Sequence, residues 1–364
     1  ALEDLPAAYL AARRDIARLF NSQNRLDPDV IPQSLYDALD GALTQAAVLA
    51  VEWLNRLERI EAEAREMAAE MDFRFLMSPE RQLFSIGYNA DEGRLDDSYY
   101  DLLASEARLA SLVAIAERQA PPSHWFRLGR RMLPGINGPV LASWSGSMFE
   151  YLMPSLVIST PRGSMLDQTC RDIVARQIQY GKERHVPWGV SESALNLRDR
   201  AYTYQYSAFG VPGLGLKRGL EKDIVIAPYA TGLAAMYMPK SAVANFRRLA
   251  EIGALGRYGF YEALDFTPGR RAENQTMATV RAYMAHHQGM LLVALGNVIN
   301  RNVMRHRFHH EPIIRSAELL LHESQPRWVQ PASLALREER ERPTVVMPES
   351  GVARQFDSAM TATP

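Results

Sequence analysis

Windows with apolar residues at three-and-four spacing alternate along this chain with long loops dense in Gly, Pro and aromatic residues. That alternation limits the fold more than any single motif does. The helical windows begin with "LEDLPAAYLAARRDIARLF" and "PQSLYDALDGALTQAAVLAVEWLNRLERIEAEAREMAAEMDF", rich in Ala, Leu, Glu and Arg. "SYYDLLASEARLASLVAIAERQA" follows, with Ser98 as its N-cap and Pro121-Pro122 as its stop. Further windows are "SMFEYLMPSLV", "MLDQTCRDIVARQIQYGKER", "AVANFRRLAEIGAL", "ATVRAYMAHHQGMLLVALGNVIN" and "IIRSAELLLHE". "LFSIGYN" reads as a short strand and "NADEG" as a turn. About ten to twelve helices in a chain of this size suit a toroid of paired helices better than a solenoid, because no segment repeats at a fixed period. The expected fold is all-α, an (α/α)6 toroid or barrel of paired helices with long loops that form a groove.

Three segments are expected. Residues 1–70 are N-terminal helices leading into or packing on the toroid, 71–325 are the toroid itself, and the charged, Pro-containing 326–364 is a linker or tail. A start at Ala rather than Met fits a piece of a longer chain.

Composition narrows the functional classes. A hydrophobic share of 47% supports a sizeable core, and 41 Lys and Arg against 42 Asp and Glu leave a net charge of −1, with no basic field for nucleic acid or anionic lipid. No run of 18 apolar residues and no signal-peptide pattern occur, so this stretch reads as soluble. The single cysteine, Cys170, has no partner for an internal disulfide or a zinc site, which fits a reducing compartment. No cofactor or metal is expected.

Acidic residues lie beside aromatic or small residues in four motifs: Glu106, Glu150, Glu192, and Glu262 with Asp265. Sugar-processing sites need two carboxyls across a glycosidic bond and aromatic rings on which pyranose faces stack. Each acid also has a plainer reading. Glu106 falls mid-helix, where acids usually face solvent, although Tyr100, Leu103, Ala107 and Leu109 crowd it; Glu150 fits the rim of a core; Glu192, between Ser191 and Ser193, fits an N-cap or capping box. His286 and His287, adjacent on a helix, point about a hundred degrees apart and do not suit one metal ion. They fit hydrogen bonding to a polar ligand or burial as satisfied interior histidines. "RHRFHH" reads as a solvated cationic cluster at a helix C-terminus, and "GVPGLGLKRG" lacks the P-loop spacing and reads as a loop shaped around a ligand.

Taken in order, "MDFRFLMSPERQLFSIGYN", "DDSYYDLLASEARLAS", "WSGSMFEYLMP", "VPWGVSESA", "YQYSAFGVPGLGLKRGL", "VIAPYATGLAA", "GRYGFYEALDFTP", "YMAHHQGM" and "RFHHEPIIRSAELLLHE" resemble the middle region of bacterial cyclic β-1,2-glucan synthases. The resemblance runs from about residue 55 to 325 and rests on many separate motifs. It implies an α/α toroid similar to endo-β-1,2-glucanases. It also implies an enzyme that closes linear β-1,2-glucan into a ring by anomer-retaining transglycosylation. In that family the region lies between a membrane-bound glycosyltransferase region and a phosphorylase-like region, at the cytoplasmic face of the inner membrane.

Residue by residue, Glu192 in "WGVSES" and Glu106 in "LLASEARL" match the family's two acids, with Glu192 as nucleophile and Glu106 as general acid/base. The resemblance implies that Glu192 stays ionised, helped by N–H groups of the Gly189 to Ser193 turn, and that Glu106 is held protonated on an apolar face. Glu150 and Glu262 would bind sugar hydroxyls. Trp125, Trp144, Trp188, Tyr206, Phe209, Tyr258 and Tyr261 would line the groove, and His286, His287 and Gln288 would hydrogen-bond within it. Leu195 departs from the family, which often carries Tyr there. A β-1,2-glucanase that admits water, and a non-catalytic glucan-binding domain, are the other readings of the same residues.

Overall fold

Ala, Leu, Glu and Arg, all strong helix formers, dominate the first 70 residues, and these fold into two long helices, α1 (Leu5–Gln23) and α2 (Gln33–Ala69). The computed structural model describes residues 2–23 and 32–325; the expected tail, 326–364, lies outside the described residues. The chain divides into two compact units, Ala1–Asp72 and Phe73–Pro364. In the first, α1 lies against α2. Arg13 makes a two-pronged ion pair with Asp40 at 2.5 and 2.9 Å, and Phe20 stacks on Tyr36 at 4.4 Å.

The second unit carries nine α-helices among its described residues. They are α3 (Arg108–Ala116), α4 (Ser123–Arg127), α5 (Met148–Leu152), α6 (Met165–Glu183), α7 (Pro228–Ala235), α8 (Pro239–Glu251), α9 (Ala285–Ile299), α10 (Val303–His310) and α11 (Pro312–Ala317). Their starts follow local chemistry. Ser147 and Ser164 cap α5 and α6 with their hydroxyls, and Pro228, Pro239 and Pro312 open α7, α8 and α11, where the missing proline N–H costs nothing.

All eight residues of α7 are buried, and α5, α8 and α9 pack around it. With Ala, Gly, Leu and Tyr on every face it has no amphipathic stripe, so periodicity does not reveal it. Leu112, Ile115, Trp125, Leu141, Leu152, Ile173, Ile226 and Leu233 belong to the surrounding core. Each such side chain contributes about 1.5–3 kcal/mol on leaving water.

Beside the helical scaffold stand, among the described residues, five small sheets, which the all-α expectation omits. Hairpins pair β1 (Tyr88–Asn89) with β2 (Arg94–Leu95), as "LFSIGYN" and "NADEG" predict. β3 (Met132–Pro134) pairs with β4 (Pro139–Leu141), and β5 (Ser193–Arg198) with β6 (Tyr204–Ser207). After β7 (Val225–Ile226), β8 (Leu255–Gly256) pairs with β9 (Gly259–Phe260). β10 (Ala263–Asp265) then lies between β7 and β11 (Ala278–Val280), antiparallel to both.

Two helix starts move. Residues 98–103 are not helical, because the N–H groups of Tyr100 and Leu103 go to the Phe84 and Gly129 carbonyls, and the helix begins only at Arg108. The window beginning at Ala278 gives Ala278–Val280 to the sheet, where Thr279 and Val280 suit a strand, and turns helical only at Ala285. "RHRFHH" does end a helix but is not merely solvated. Arg305 donates to the Ser155 carbonyl at 2.6 Å, and His309 contacts Glu318 at 2.7 Å.

Candidate active site

The short helix α5 is the anchor of the site. At its start Glu150 N–H donates to Ser147 Oγ (3.3 Å) and Ser147 N–H donates to Glu150 Oε2 (3.0 Å), a capping box written in the sequence as Ser-Met-Phe-Glu. The Glu150 carboxylate also accepts from the hydroxyls of Ser143 and Ser145, both at 2.7 Å, and from the Ser145 N–H at 2.9 Å. Glu150 is thus the capping-box acid, and its oxygens are committed to the "SWSGS" loop.

Glu106 and Glu192 both hang from α5. Arg108, 2% exposed, donates to the Ser105 carbonyl and the Glu150 carbonyl at 3.0 Å each and to the Tyr151 carbonyl, so one buried guanidinium staples the turn bearing Glu106 to the helix. On the other side Phe149 N–H donates to Ser191 Oγ (3.0 Å), the Ser191 and Tyr229 hydroxyls meet at 2.8 Å, and Tyr229 donates to the Glu192 carbonyl at 2.9 Å. Glu192 precedes strand β5, not a helix, so the N-cap reading falls. Gly189 just before it has φ +122°, and a side chain there would press on the Ala227 carbonyl at 3.3 Å.

Electrostatics join the acids. Glu106 sits in the turn before α3, half-buried. Burial, with the charges of Glu150 and Glu192, lifts its carboxyl above the usual glutamate value, against hydrogen bonds from its own backbone and from Ser105. Burial also lifts Glu192, helped by the charge of Glu150 and opposed by the Tyr206 hydrogen bond and by His287. This differs from the expectation of an acid held low. The amides of the 189–193 turn do not serve it: Val190 N–H goes to Gln177 Oε1 at 2.8 Å, and the donor to Glu192 is Tyr206. Tyr100 responds to the charges of both Glu106 and Glu192, so the two carboxyls share one environment.

A third group of side chains backs Glu192. The β5/β6 register sets Tyr206 opposite Ala194, on the same face as Glu192 two residues earlier, and the Tyr206 hydroxyl reaches Glu192 Oε1 at 2.7 Å. His287 Nε2 lies 3.3 Å from the same hydroxyl, and its Nδ1 lies 2.8 Å from Glu262 Oε1. Tyr229 stacks on the His287 ring at 3.8 Å. Glu262 and His287 are 1% and 0% exposed, whereas His286, one residue earlier on α9, is exposed. Asp265 is also fully buried and held by Arg270 at 2.6 Å.

The aromatic candidates separate by burial. Trp144 and Tyr258 are 60% and 70% exposed, while Trp125, Trp188 and Phe209 lie in the core, so Trp188 is not an open stacking plate. Its backbone is clamped by Asn245 instead. Tyr258 and Tyr261 flank Tyr283 at 5.8 and 5.3 Å, an aromatic trio whose third member sequence reasoning missed. Gln288 is spent on the Phe260 carbonyl at 3.2 Å. Leu195 belongs to the core on β5. Tyr100, Arg108, Ser191 and Tyr229 also went unread. The signal for Arg108 was its place two residues beyond Glu106; the others carry none beyond proximity to a motif acid.

The "GVPGLGLKRG" loop packs backbone to backbone on the loop that holds Glu150. A Cβ on Gly210 would fall 1.8 Å from the Ser145 carbonyl oxygen, which only a glycine avoids.

The Glycoamylase family model, described as "Putative glucoamylase", matches residues 98–312, more than half of the chain and the whole of this site. The chain belongs to the glycoamylase family. This glycoamylase-family chain is 52% identical over 300 residues to "Cyclic beta-(1,2)-glucan synthase NdvB" of Rhizobium meliloti (strain 1021), a match over 82% of the chain and 10% of that protein. The chain therefore spans about a tenth of the length of the curated relative it matches. Among solved structures it is similar in fold to the endo-β-1,2-glucanase of Chitinophaga pinensis in complex with sophorotriose and glucose. That likeness has a TM-score of 0.54 and 14% identity over 78% of this chain and 65% of that one. A Bacteroides fragilis protein carrying the same description as the family model is similar with a TM-score of 0.55 and 16% identity over 79% and 66%.

Proposed function

We propose that this chain is the cyclising region of a cyclic β-1,2-glucan synthase, and that it closes linear β-1,2-glucan into a ring by anomer-retaining transglycosylation. The observation that carries the reading is the Glu106–Glu192 pair. Two half-buried acids are each tied through a neighbouring residue to α5, the charge of Glu192 raises Glu106, and Tyr100 responds to the charges of both.

Glu192 attacks the anomeric carbon as the glycosidic bond breaks, and the leaving oxygen takes a proton from Glu106, directly or through a substrate hydroxyl or water. The raised Glu106 suits an acid that must still hold its proton near neutrality. In the second half the chain's own non-reducing end gives its hydroxyl proton back to Glu106 and displaces Glu192. Cyclisation instead of hydrolysis needs that acceptor held in place and water kept out. The exposed Trp144 and the Tyr258–Tyr261–Tyr283 trio are the surfaces on which its sugars would stack. Glu150 acts from beneath the site by holding the serine loop and by its charge.

The helical scaffold is read as an (α/α)6 toroid, in keeping with the likeness to the Chitinophaga glucanase. The helices of 1–70 would lead into it, and 326–364 would link onward. In the whole protein a membrane-bound glycosyltransferase region and a phosphorylase-like region would flank it at the cytoplasmic face of a bacterial inner membrane. Among the described residues no helix is long and apolar enough to cross a membrane.

The fold likeness to a β-1,2-glucanase keeps hydrolysis as the second reading. Incubating the chain with linear β-1,2-glucan and weighing the products separates the two. Cyclic or redistributed chains, absent with Glu192→Gln and Glu106→Gln, support transglycosylation; shorter linear chains alone support hydrolysis.

A further inference from the structure

Glu262, His287 and Tyr206 were expected to touch sugar, yet the structure binds each of them to the next and the last to Glu192. Glu262 and His287 are buried completely and meet through Nδ1 at 2.8 and 3.0 Å from the two carboxylate oxygens. A carboxylate only accepts, so Nδ1 carries a proton and Nε2 is left to face Tyr206 at 3.3 Å. The Tyr206 hydroxyl has one proton and two neighbours, this Nε2 and Glu192 Oε1 at 2.7 Å. The line is continuous from Glu262 to Glu192.

Its parts are held from outside. Ala194 N–H donates to Glu262 Oε1 at 3.2 Å, tying the far end of the line to the strand that follows Glu192. Tyr229 stacks on His287 with an interplanar angle of 11° and donates to the Glu192 carbonyl, so one residue holds the histidine and the backbone of Glu192. Tyr206 is 42% exposed, and its hydroxyl is engaged by Glu192.

We propose that Glu262, His287 and Tyr206 form a positioning relay that orients Glu192 and draws its proton toward His287, so that Glu192 faces the sugar as a carboxylate. The step balances without a co-reactant. A protonated Glu192 passes its proton to the Tyr206 oxygen while the Tyr206 proton passes to His287 Nε2. The products are the Glu192 carboxylate and an imidazolium paired with Glu262, and no bond between heavy atoms changes. When Glu192 is later bound to sugar, its oxygens accept more weakly, and the Tyr206 oxygen still accepts from the Nε2–H of the imidazolium. The hydroxyl is partnered in both halves of the reaction.

Other groups face the line as well. The charge of Glu150 bears on Glu192, that of Glu192 bears on Glu106, Tyr100 and Tyr229, and His286 sits beside His287 on α9. Glu150 and Glu106 are common to wild type and relay variants, so a difference between these proteins reports the relay. The use to which Glu192 is put rests on the function proposed above; its titration does not.

The test is the carboxyl 13C titration of the glutamate-labelled chain, with the Glu192 resonance assigned by Glu192→Gln. Tyr206→Phe keeps the ring and removes the hydroxyl, and the Glu192 midpoint then rises by about one pH unit or more. His287→Asn raises it in the same direction where that buried substitution folds, and Tyr206→Phe decides the matter where it does not. An unchanged or lowered midpoint in Tyr206→Phe overturns the relay. Activity on linear β-1,2-glucan is measured alongside. Loss of turnover in Glu192→Gln with an unshifted midpoint removes the relay and leaves the function. A shifted midpoint in a chain that does not act on the glucan removes the function and leaves the relay.

Discussion

Ser147 and Glu150 cap each other at the start of α5, with Glu150 N–H on Ser147 Oγ at 3.3 Å and Ser147 N–H on Glu150 Oε2 at 3.0 Å. The acid that the resemblance assigns to sugar hydroxyls has its carboxylate engaged in bracing this loop. Glu150→Gln replaces an acceptor-only group by an amide among serine donors, and should cost about 1–3 kcal/mol in a denaturant melt. The same change removes a charge that raises both Glu106 and Glu192, so both should ionise more easily. Each limb of the activity profile is then expected to move to lower pH in a rate-against-pH measurement, and limbs that stay in place would refute the electrostatic link.

A carboxyl raised in the folded state binds its proton more tightly folded than unfolded. Glu106 and Glu192 therefore contribute stability at pH below the ordinary carboxyl range and lose it as pH rises through their folded values. Glu106→Gln should melt higher than wild type near neutral pH, and the gap should close in acid. Melting curves at several pH values check the sign; a variant that melts lower at neutral pH contradicts it.

The Gly210 backbone leaves no room for a methyl group, since its Cβ would lie 1.8 Å from the Ser145 oxygen. Gly210→Ala must displace the loop that holds Glu150, at about 1–3 kcal/mol in thermal or chemical denaturation. A neutral substitution would show that the two loops do not depend on their close approach.

Aromatic residues should sort by burial, not by motif. Trp188→Ala opens the core and is expected to cost about 3–5 kcal/mol. Tyr258→Ala, at a ring 70% exposed, should leave the melt nearly unchanged and raise KM with little change in kcat. Steady-state kinetics beside a melt for each variant distinguishes these outcomes.

The sequence disclosed the helices that show a stripe and the acids that sit in motifs, for different reasons. α6 and α8 carry amphipathic periodicity and start at Ser164 and Pro239, signals readable along the chain. α7 is apolar on every side, and the first ten residues of the "SYYDLLASEARLASLVAIAERQA" window lost their helix to backbone bonds with Phe84 and Gly129, partners distant in sequence. The acids followed the same division. Glu106 and Glu192 stand out by their neighbours, but only the resemblance pairs them. That Glu150 braces a loop, that Trp188 lies in the core and that His287 answers to Glu262 depend on side chains brought together by folding. The Ser147 to Glu150 capping box was the one such feature spelled out locally, and it was attached to Glu192 instead.

The account turns on Glu192 as nucleophile with Glu106 as its acid/base partner, and the anomer released in the first turnovers reports it most directly. Linear β-1,2-glucan is added to the chain and the new anomeric centres are followed by proton NMR before mutarotation. The prediction is β-configured products from wild type and a fall of about 10²–10⁴-fold in rate for Glu106→Gln, with no products from Glu192→Gln. First-formed α-anomers, or a Glu192→Gln chain that keeps its rate, would contradict it.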